Sequence, residues 1–594
     1  MNYLITKLRL FVFLAVLVMG SQQNCLGQNS NEVLKFVPES AILYFHVPNV
    51  QQTLEDFDAS PWGKLIADPA MQSFTSELED DTNNIEEAFL RYYGFTLLHL
   101  RDHSVSKFTA VGFPTDRGSL SLTFFLGTEN ESNCESLQNA VVESLIKADA
   151  KPNADLSIDG KTVLEMLVEE NQEDLTIFRK QNLLMISGDQ SVAAQLIDGM
   201  KGAPQKLLAD KNQFAAAMAS IVDASAQVEW FIDPIPLALT LEEEDGEEEE
   251  VPDQDSRPPF PMRHGFPGLK ALAGNFALGT ESDSFTFRSK VEIIAPPPRE
   301  GALKIFDFPE LLPDTKEVAI SSDASVVSRA NWNLSALIDN IGDVFDDVSD
   351  TDGGFEQTLA DYKSELRVDL KADIFDRLGP EILSSSYYAE ELGFEGVVVS
   401  IAIQDPRKNE LVVARAIRNL LIEDTETIRK RVPGKRFELF QMGLTTGDGS
   451  MPFSKAGIMV ADGRLWLSTH AALIESRLAA RESGDIRNEP DFMKAAQISA
   501  TDQTPIANSF SRTYRDIQYT YKILRESGIE GLENAENLYS TLILKAMEQT
   551  DSPADIDFSL LPEYSAISHY FGVTQFSAYN TENGWQIRIF GLPK

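Results

Sequence analysis

Histidine is the side chain here that could most readily perform acid–base or metal chemistry, and the sequence contains six: His46, His99, His103, His264, His470 and His569. Only His99 and His103 are spaced to share one face of a helix, and two imidazoles without a nearby third ligand make a poor zinc site. A strand is predicted from Ser104 to Gly112, so the pair could equally span a turn. We interpret both residues as ordinary polar side chains at a helix end.

Motifs for nucleophilic, phosphate-binding or metal-dependent catalysis are missing from the sequence. It contains no G-x-S-x-G, phosphate loop, G-x-G-x-x-G, H-E-x-x-H or C-x-x-C. S-x-x-K occurs at Ser104 to Lys107 and at Ser144 to Lys147, but neither S-D-N nor K-T-G accompanies it. The 92 acidic residues offer too many carboxylate pairs for spacing to single one out. The sequence therefore predicts no catalytic residue and no cofactor, and leaves the question of metal ligands open.

A cluster of aspartates in the second half of the chain superficially resembles a calcium loop. It comprises Asp343, Asp346, Asp347, Asp350 and Asp352, followed by Gly353-Gly354. With Gly353 at the glycine position of an EF-hand, Val348 falls at the first ligand position and Leu359 at the position of the bidentate glutamate. We favour a helix C-terminus that runs into an acidic turn, and a calcium site of another geometry is the alternative.

The segment Glu242 to Pro261 carries ten acidic residues against Arg257 alone. Like charges at this density repel one another and the prolines oppose regular structure, so the segment is predicted to be a disordered surface loop. Weak, nonselective binding of Ca²⁺ is an alternative, because ordering a floppy polyacid around an ion costs conformational entropy.

The N-terminus has the three parts of a secretory signal. Lys7 and Arg9 form a positive region, Leu10 to Val18 is an apolar run, and a small polar stretch follows, so we expect a signal peptide at residues 1–27. The alternative is lipid modification of Cys25, which the preceding Asn24 disfavours. No segment is apolar enough for the roughly 20 residues that span a bilayer, so the mature protein is predicted to be soluble and either periplasmic or secreted.

Composition limits the partners and the sources of stability. The net charge is −41 and the cysteines are Cys25 and Cys134. A field of this sign repels phosphate backbones and anionic lipid heads, which disfavours nucleic-acid and membrane-surface binding. If Cys25 leaves with the signal peptide no internal disulfide can form, so stability must come from core burial.

A faint duplication runs through the chain. The turn Val37-Pro38-Glu39-Ser40 with the strand Ala41 to Val47 matches Leu312-Pro313-Asp314-Thr315 with Glu317 to Ser321. Gly160-Lys161 matches Gly434-Lys435. Repeats of this kind indicate two copies of one folding unit.

Three further pairs of elements recur in the same order. A hairpin followed by a helix occurs twice. In the first copy it comprises Leu175 to Phe178, Leu183 to Ser187 and the helix Ser191 to Gly199. In the second it comprises Ala456 to Val460, Leu465 to Ser468 and the helix Ala471 to Ala480, so that Ser187 aligns with Ser468. Phe214 and Phe492 each begin an Ala-rich helix before a strand, Ala226 to Ile232 and Ile506 to Phe510. Two closing hairpins follow, Phe276 to Thr280 with Phe285 to Ile293, and Phe576 to Asn580 with Trp585 to Phe590.

These matches predict an α+β protein made of two tandem modules, residues 31–295 and 303–594, joined by a proline-rich connector at 296–302. The hairpins favour mixed or antiparallel sheets with helices packed on one side. Further strand-helix pairs are predicted at Leu120 to Leu126 with Ser132 to Lys147, and at Val397 to Ile403 with Pro406 to Glu423.

The start of the chain resembles a group of exported bacterial proteins known only as a domain of unknown function. The residues that carry the resemblance are Phe36 to Ser40, the strand after them, Pro61-Trp62-Gly63-Lys64-Leu65 and Asp68-Pro69. Such proteins begin with a signal peptide, a Leu-Pro-Ala-Asp-Thr-like turn and a strand, and Pro313-Asp314-Thr315 is the nearer match to that turn. The resemblance implies no activity and no site residue.

The sequence therefore predicts an exported, noncatalytic binding or structural protein with an unknown envelope or extracellular partner. The alternatives are a hydrolase with its site between the modules and a weak calcium binder. The oligomeric state does not follow from the sequence.

Overall fold

A computed structural model describes residues 32–76, 90, 92–115, 119–148, 150–158, 161–168, 173–245, 258–280, 283–311, 320–349, 351–389, 394–422, 426–444, 453–479, 484–533 and 557–594. The predicted signal peptide, Gly160 and Leu312 to Thr315 lie outside these residues. The chain divides into two compact units. Unit 1 extends to Met262 and includes Leu269–Pro296, whereas unit 2 contains Arg263–Gly268 and everything from Pro297 onward.

Unit 1 is built on one antiparallel sheet of ten strands. The strands are β1 Leu43–Val47, β2 Val105–Pro114, β3 Leu120–Thr128, β4 Lys151–Ile158, β5 Lys161–Val168, β6 Glu173–Lys180, β7 Leu183–Ser187, β8 Val228–Ile232, β9 Ala271–Leu278 and β10 Phe287–Ile294. Their order across the sheet is β4-β5-β6-β7-β3-β2-β1-β8-β9-β10. Central β3 is buried at every position, as expected for a strand covered on both faces.

Helices cover both faces of this sheet. They are α1 Val50–Ala59, α2 Pro61–Ile66, α3 Leu97–Asp102, α4 Glu131–Lys147, α5 Gln190–Met200, α6 Asn212–Ser220 and α7 Pro234–Asp245, with 3₁₀ turns at Glu32–Lys35, Leu208–Asp210 and Phe260–Met262. Phe45 and Phe124 pack with α4, whereas their neighbours Tyr44 and Phe125 pack with α5 and α6 on the other face. The prediction of helices on one side was wrong, because alternate residues of these strands are apolar on both faces.

Unit 2 has its own antiparallel sheet of ten strands. They are β11 Val326–Asn331, β12 Leu378–Ala389, β13 Phe394–Ile403, β14 Ile428–Arg431, β15 Glu438–Leu444, β16 Phe453–Ala461, β17 Arg464–Ser468, β18 Ala507–Ser511, β19 Val573–Thr581 and β20 Gly584–Leu592. Their order is β14-β15-β16-β17-β13-β12-β11-β18-β19-β20. Each strand thus occupies the place of the strand ten numbers earlier in unit 1.

The helices of unit 2 follow a related plan. They are α8 Leu334–Asn340, α9 Gly342–Val348, α10 Gly354–Glu365, α11 Pro406–Leu421, α12 Ala471–Ala479, α13 Pro490–Ser499, α14 Thr513–Asp516, α15 Gln518–Glu533 and α16 Tyr564–Ile567. Short helical turns lie at Phe266–Gly268, Gly301–Ile305, Leu370–Ile374, Phe375–Arg377, Ile486–Asn488, Phe558–Leu560 and Ser568–Tyr570. Val413 and Ile417 of α11 pack against Ile401, Phe440 and Leu465 of the sheet.

The first strand of unit 2 lies further along the chain than the sequence predicted. Ile320 and Ser321 are not in a strand, and Ser321 forms only an isolated bridge with Asp485, just as Pro38 does with Leu207 in unit 1. The following turns match as well, with Ala41 N donating to Pro38 O and Ala324 N donating to Ser321 O. The residue equivalent to Pro38 is therefore Ser321.

Most other predicted elements are present, with shifted ends. The two hairpins before α5 and α12 and both closing hairpins are confirmed. Ser187 and Ser468 hold matching places beside β3 and β13. Helix α11 ends at Leu421 rather than Glu423. Glu242 to Asp245 form the last turn of α7 rather than a loop, because glutamate has a high helix propensity.

Candidate functional site

Unit 2 contains an open cleft of about 240 Å³ beside helix α13. This volume has room for a cluster of water molecules, since one of them needs roughly 10–15 Å³ of such space. Phe492 and Ala496 of α13 line it, together with the loop from Ser499 to Pro505 and residues of β11, β18 and β19. Pro490 at the first helical position favours the start of α13 there.

The walls of the cleft are aromatic rings and uncharged polar groups. Phe492 and Phe510 meet edge to face, with 5.0 Å between ring centroids. Asn508 and Ser577 line the cleft, and their side chains make no hydrogen bond within the described part of the chain. Thr501 Oγ1 donates to the Tyr579 hydroxyl at 3.4 Å. Such a surface offers the ring of Phe492 and several polar groups to a ligand, whereas Phe510 and Tyr579 are only 2% and 3% exposed.

A buried ion pair fixes the end of the cleft where α13 starts. Arg512, at the end of β18, donates from Nε to Asp491 Oδ2 at 2.7 Å and from Nη2 to Asp491 Oδ1 at 3.0 Å. Burial opposes ionisation of Asp491, but the hydrogen bonds and charge of Arg512 outweigh burial and lower the pKa of this carboxyl. The pair thereby holds Phe492 and Phe510 together.

The residues that line the cleft are uncharged. None of the described residues that line it is acidic, basic, histidine or cysteine. Hydroxyls on Ser499, Thr501, Ser577 and Tyr579 line it, with no carboxylate, imidazole or amine among the lining residues beside them. The arrangement offers hydrogen-bonding groups to a ligand.

The cleft exists because unit 2 has small residues where unit 1 has large ones. Strand pairing places Val327 where unit 1 has Tyr44, since these residues lie opposite Phe510 and Phe231, respectively. Tyr44 is 1% exposed and meets Phe214 edge to face at 5.5 Å.

The helix next to the cleft shows the same difference. The 3₁₀ turns and helix starts of the units are offset by 278 residues, so Ala496 and Ser499 take the places of Met218 and Ile221. Ile221 is fully buried, so unit 1 fills with core the volume that unit 2 leaves open.

Of the six histidines, His99 and His103 lie next to each other, and the other four lie elsewhere in the fold. His99 and His103 stack with 6.1 Å between centroids, and His99 Nδ1 accepts from Thr96 N as a helix cap. His46 is buried in unit 1, where Nδ1 donates to Phe108 O at 3.1 Å. The remaining three are His264 beside Asp347, His470 before α12 and His569 against Tyr570.

The aspartate cluster is occupied by hydrogen bonds of its own. Asp346 accepts from Gly353 N at 3.0 Å and from Phe355 N at 2.6 Å. Asp347 pairs with Arg263 and His264. Within the described ranges, no three His, Cys, Asp or Glu side chains are grouped to hold a metal ion. Asp350 lies outside those ranges.

Two other features bear on the earlier expectations. Cys134 is buried and free, and burial raises the pKa of its thiol to about 11, which makes it unreactive. Among the helices that the structure describes, none has the length and apolar character needed to cross a bilayer.

Comparisons with known proteins do not assign this chain to a family. No family model matches it, and no curated protein matches it. A solved structure described as "Structure of crystal form I of TP0453" is similar at 11% identity, covers 45% of this chain and 80% of that chain, and has a TM-score of 0.21. A score this low carries neither fold nor function over. The resemblance to the exported bacterial group stays a prediction.

Sequence reasoning missed the cleft. Its residues belong to no motif, and their types are ordinary for a core or a loop. The sequence contains one indication of the cleft, which is that Val327 stands at the position that Tyr44 has in unit 1. This correspondence is visible only when Pro38 is aligned with Ser321 and not with Pro313.

Proposed function

We propose that this chain is an exported, noncatalytic binding protein and that the cleft beside α13 takes a small, uncharged ligand that is rich in hydrogen-bonding groups. The observation that carries the proposal is the cleft's lining of aromatic rings, amides and hydroxyls without any charged side chain. Pockets that bind small molecules combine apolar walls with a few polar groups in this way. The lining residues themselves give a charged ligand no counter-charge for its lost hydration, although Arg588 contacts two of them, Gln503 and Tyr579.

The proposal is tested by closing the cleft with the residues that unit 1 uses. The double variant Ala496→Met, Ser499→Ile fills the volume. The matched control is Gln497→Met, because Gln497 is exposed on the same helix and does not line the cleft. Calorimetric titration with glucose, N-acetylglucosamine, uridine and glycinamide-capped dipeptides is expected to give binding by at least one probe that the double variant loses and the control keeps.

Two results would overturn this proposal. Absence of cleft-dependent heat for every probe removes the ligand site. Sustained turnover in a broad hydrolase screen, abolished by one serine or carboxylate substitution, restores the hydrolase alternative and removes the noncatalytic function. Calcium binding, the other alternative, requires heat on titration with Ca²⁺ that Asp346→Asn reduces.

We further propose that the two units are copies of one module. The identical strand order supports this, and so does an ion pair that occupies the same place with its charges exchanged. In unit 1, Asp233 follows β8 and pairs with Lys211 before α6 at 2.6 Å. In unit 2, Arg512 follows β18 and pairs with Asp491 at the start of α13. The main-chain N–H of Asp233 donates to Ile42 O, and that of Arg512 donates to Ser325 O, which holds the corresponding position in unit 2.

A further inference from the structure

Unit 2 carries a basic region that contrasts with the rest of this acidic chain. Residues 406–436 contain nine basic and four acidic residues, a net charge of +5, whereas the whole chain carries −41. The region comprises helix α11, strand β14 and the turn after it.

The basic side chains of α11 form one exposed stripe. Arg407, Arg415 and Arg418 are exposed and spaced so that they lie on one side of the helix. Leu411 lies between them and is 45% exposed, and Ile422 continues the stripe at 46%. In unit 1 the equivalent helix α4 exposes acidic residues instead, namely Glu131, Glu135 and Glu143.

Strand β14 adds arginines on the same side of the sheet. Arg429 lies opposite Phe440 on the neighbouring strand, and directly opposed residues point to the same face. Phe440 packs in the core with Val413 and Ile417 of α11. Arg429 and, two residues on, Arg431 therefore project on the face that α11 covers, whereas Lys430 projects on the other and pairs with Glu475.

These arginines have no counter-charge in the described part of the chain. Arg407, Arg415, Arg418, Arg429 and Arg431 form no salt bridge with any residue that the structure describes. Unpaired like charges repel one another, and a dense group of them is favourable when an anionic partner supplies the opposite charge. The guanidinium fork suits the planar oxygen pairs of carboxylates, as it does phosphates.

The outer edge of β14 offers main-chain groups next to these charges. Among the described residues β14 pairs with β15 alone, and all four of its residues are exposed. An edge strand of this kind can take up a further strand. Ile428, 58% exposed, supplies an apolar side chain there.

We propose that the outer edge of β14, with Arg429, Arg431 and Ile428, docks an extended acidic polypeptide of a partner protein, and that the exposed arginines of α11, Arg407, Arg415 and Arg418, add to the electrostatic attraction. Carboxylates on one face of the added strand pair with Arg429 and Arg431, and the alternate side chains contact Ile428 on the other face. This surface is separate from the cleft beside α13, so neither proposal depends on the other.

The test uses the full mature chain and a fluorescently labelled peptide of alternating Glu and Val. A peptide of alternating Glu and Pro has the same charge but cannot form a strand. Dextran sulfate, an anionic polysaccharide, tests whether any polyanion binds as well as the peptide does. Anisotropy is expected to show binding of the Glu-Val peptide that weakens as salt increases, with the Glu-Pro peptide weaker by about tenfold or more.

Variants place the site on the surface. Arg429→Glu with Arg431→Glu is expected to weaken binding by about tenfold or more. Arg415→Glu with Arg418→Glu should weaken it by only about twofold to threefold, because these arginines lie on α11 and not at the edge of β14. The control, Lys147→Glu with Lys206→Glu, changes the net charge equally in unit 1 and should bind as the natural chain does. Hydrogen exchange should slow at residues 428–431 when the Glu-Val peptide is bound.

Three outcomes would overturn the docking proposal. Equal affinity of both arginine variants and the control removes the site. Dextran sulfate bound as tightly as the Glu-Val peptide replaces the polypeptide partner by an anionic polysaccharide. Equal binding of the Glu-Pro peptide, without protection of residues 428–431, removes the added strand.

Discussion

At the scale of single residues, two buried titratable side chains in unit 1 respond to pH in opposite directions. Burial lowers the pKa of His46 to about 4. Burial raises the pKa of Asp56 to about 6, against a weaker opposing effect of the Gln52 hydrogen bond, and Asp56 Oδ2 has no partner in the described part of the chain. In both residues burial favours the form that carries no charge.

The signs follow from proton linkage. Folded Asp56 keeps its proton to about pH 6 instead of 3.8, so its contribution to stability is present at low pH and lost as pH rises through that window. Unfolded His46 takes up a proton below pH 6.5, whereas the folded side chain waits until about 4. The stability due to His46 is therefore lost as pH falls, and the two effects oppose each other between pH 4 and 6.

Single variants should expose each effect. Asp56→Asn leaves His46, so unit 1 should become less stable as pH falls from 6.5 to 4, by no more than about 1.4 kcal/mol per pH unit. His46→Gln leaves Asp56, and unit 1 should become more stable over the range where pH falls from 6 to 3.8. Hydrogen exchange of β1 and β2 in increasing urea measures both. Slopes of the same sign in the two variants would contradict the assignment.

At the scale of helices and strands, the sequence predicted those features that depend on a few neighbouring residues, such as tight turns. The Asp462-Gly463 turn was identified because a two-residue hairpin turn needs positive φ at both positions, and the two residues have φ of 53° and 78°. The turn at Pro38 was matched to Pro313 because the two are alike by residue type, and Pro313 lies outside the described residues. The equivalence depends instead on main-chain hydrogen bonds at Ser321, which any residue can make.

The cleft escaped prediction for a related reason. Whether Val327 borders a filled core or a cavity depends on Ala496 and Ser499, which lie more than 150 residues away in the chain and meet it only through the sheet and α13. Burial of an apolar residue is predictable from its type, but the volume around it depends on tertiary partners.

The exchanged ion pair yields a prediction at this scale. Arg512→Asp places a third acidic group beside Asp491 and Glu489 and should destabilise unit 2 by up to about 3 kcal/mol, the lower end for a fully buried pair, because the Asp491 side chain is 29% exposed. Adding Glu489→Lys and Asp491→Gln imports the residues that unit 1 has at Asp233, Lys211 and Gln213, and should restore most of that loss.

Urea unfolding followed by hydrogen exchange of β18 is the measurement. Glu489→Lys with Asp491→Gln in the presence of Arg512 is the control, and it should be destabilising because Arg512 then lacks its partner. A triple variant no more stable than Arg512→Asp alone would argue against structural equivalence of the two sites.

At the scale of the whole molecule, the order of residues in the chain is not the order of the compact units. The segment Arg263–Gly268 precedes β9 of unit 1 in sequence but belongs to unit 2. There His264 O accepts from Ala302 N at 2.6 Å, and Asp347 pairs with both Arg263 and His264. The predicted connector at 296–302 did not reveal this, because composition cannot show that a short segment packs against a distant aspartate.

This arrangement predicts an effect across the sequence boundary. The hydrogen bond from His264, together with the charge of Arg263, lowers the pKa of Asp347 below its usual value. Arg263→Ala with His264→Ala leaves that carboxylate without either partner. Hydrogen exchange in α9, Gly342–Val348, should speed up several-fold, because an unpaired carboxylate of low exposure destabilises the element that holds it.

Unit 1 provides the comparison. Hydrogen exchange in β1, Leu43–Val47, should stay unchanged, although the substituted residues lie in sequence between strands β8 and β9 of unit 1. Lys206→Ala removes one positive charge from unit 1, as Arg263→Ala does from unit 2, and should leave α9 unaffected. Faster exchange in β1 with α9 unaltered would place the segment in unit 1 instead.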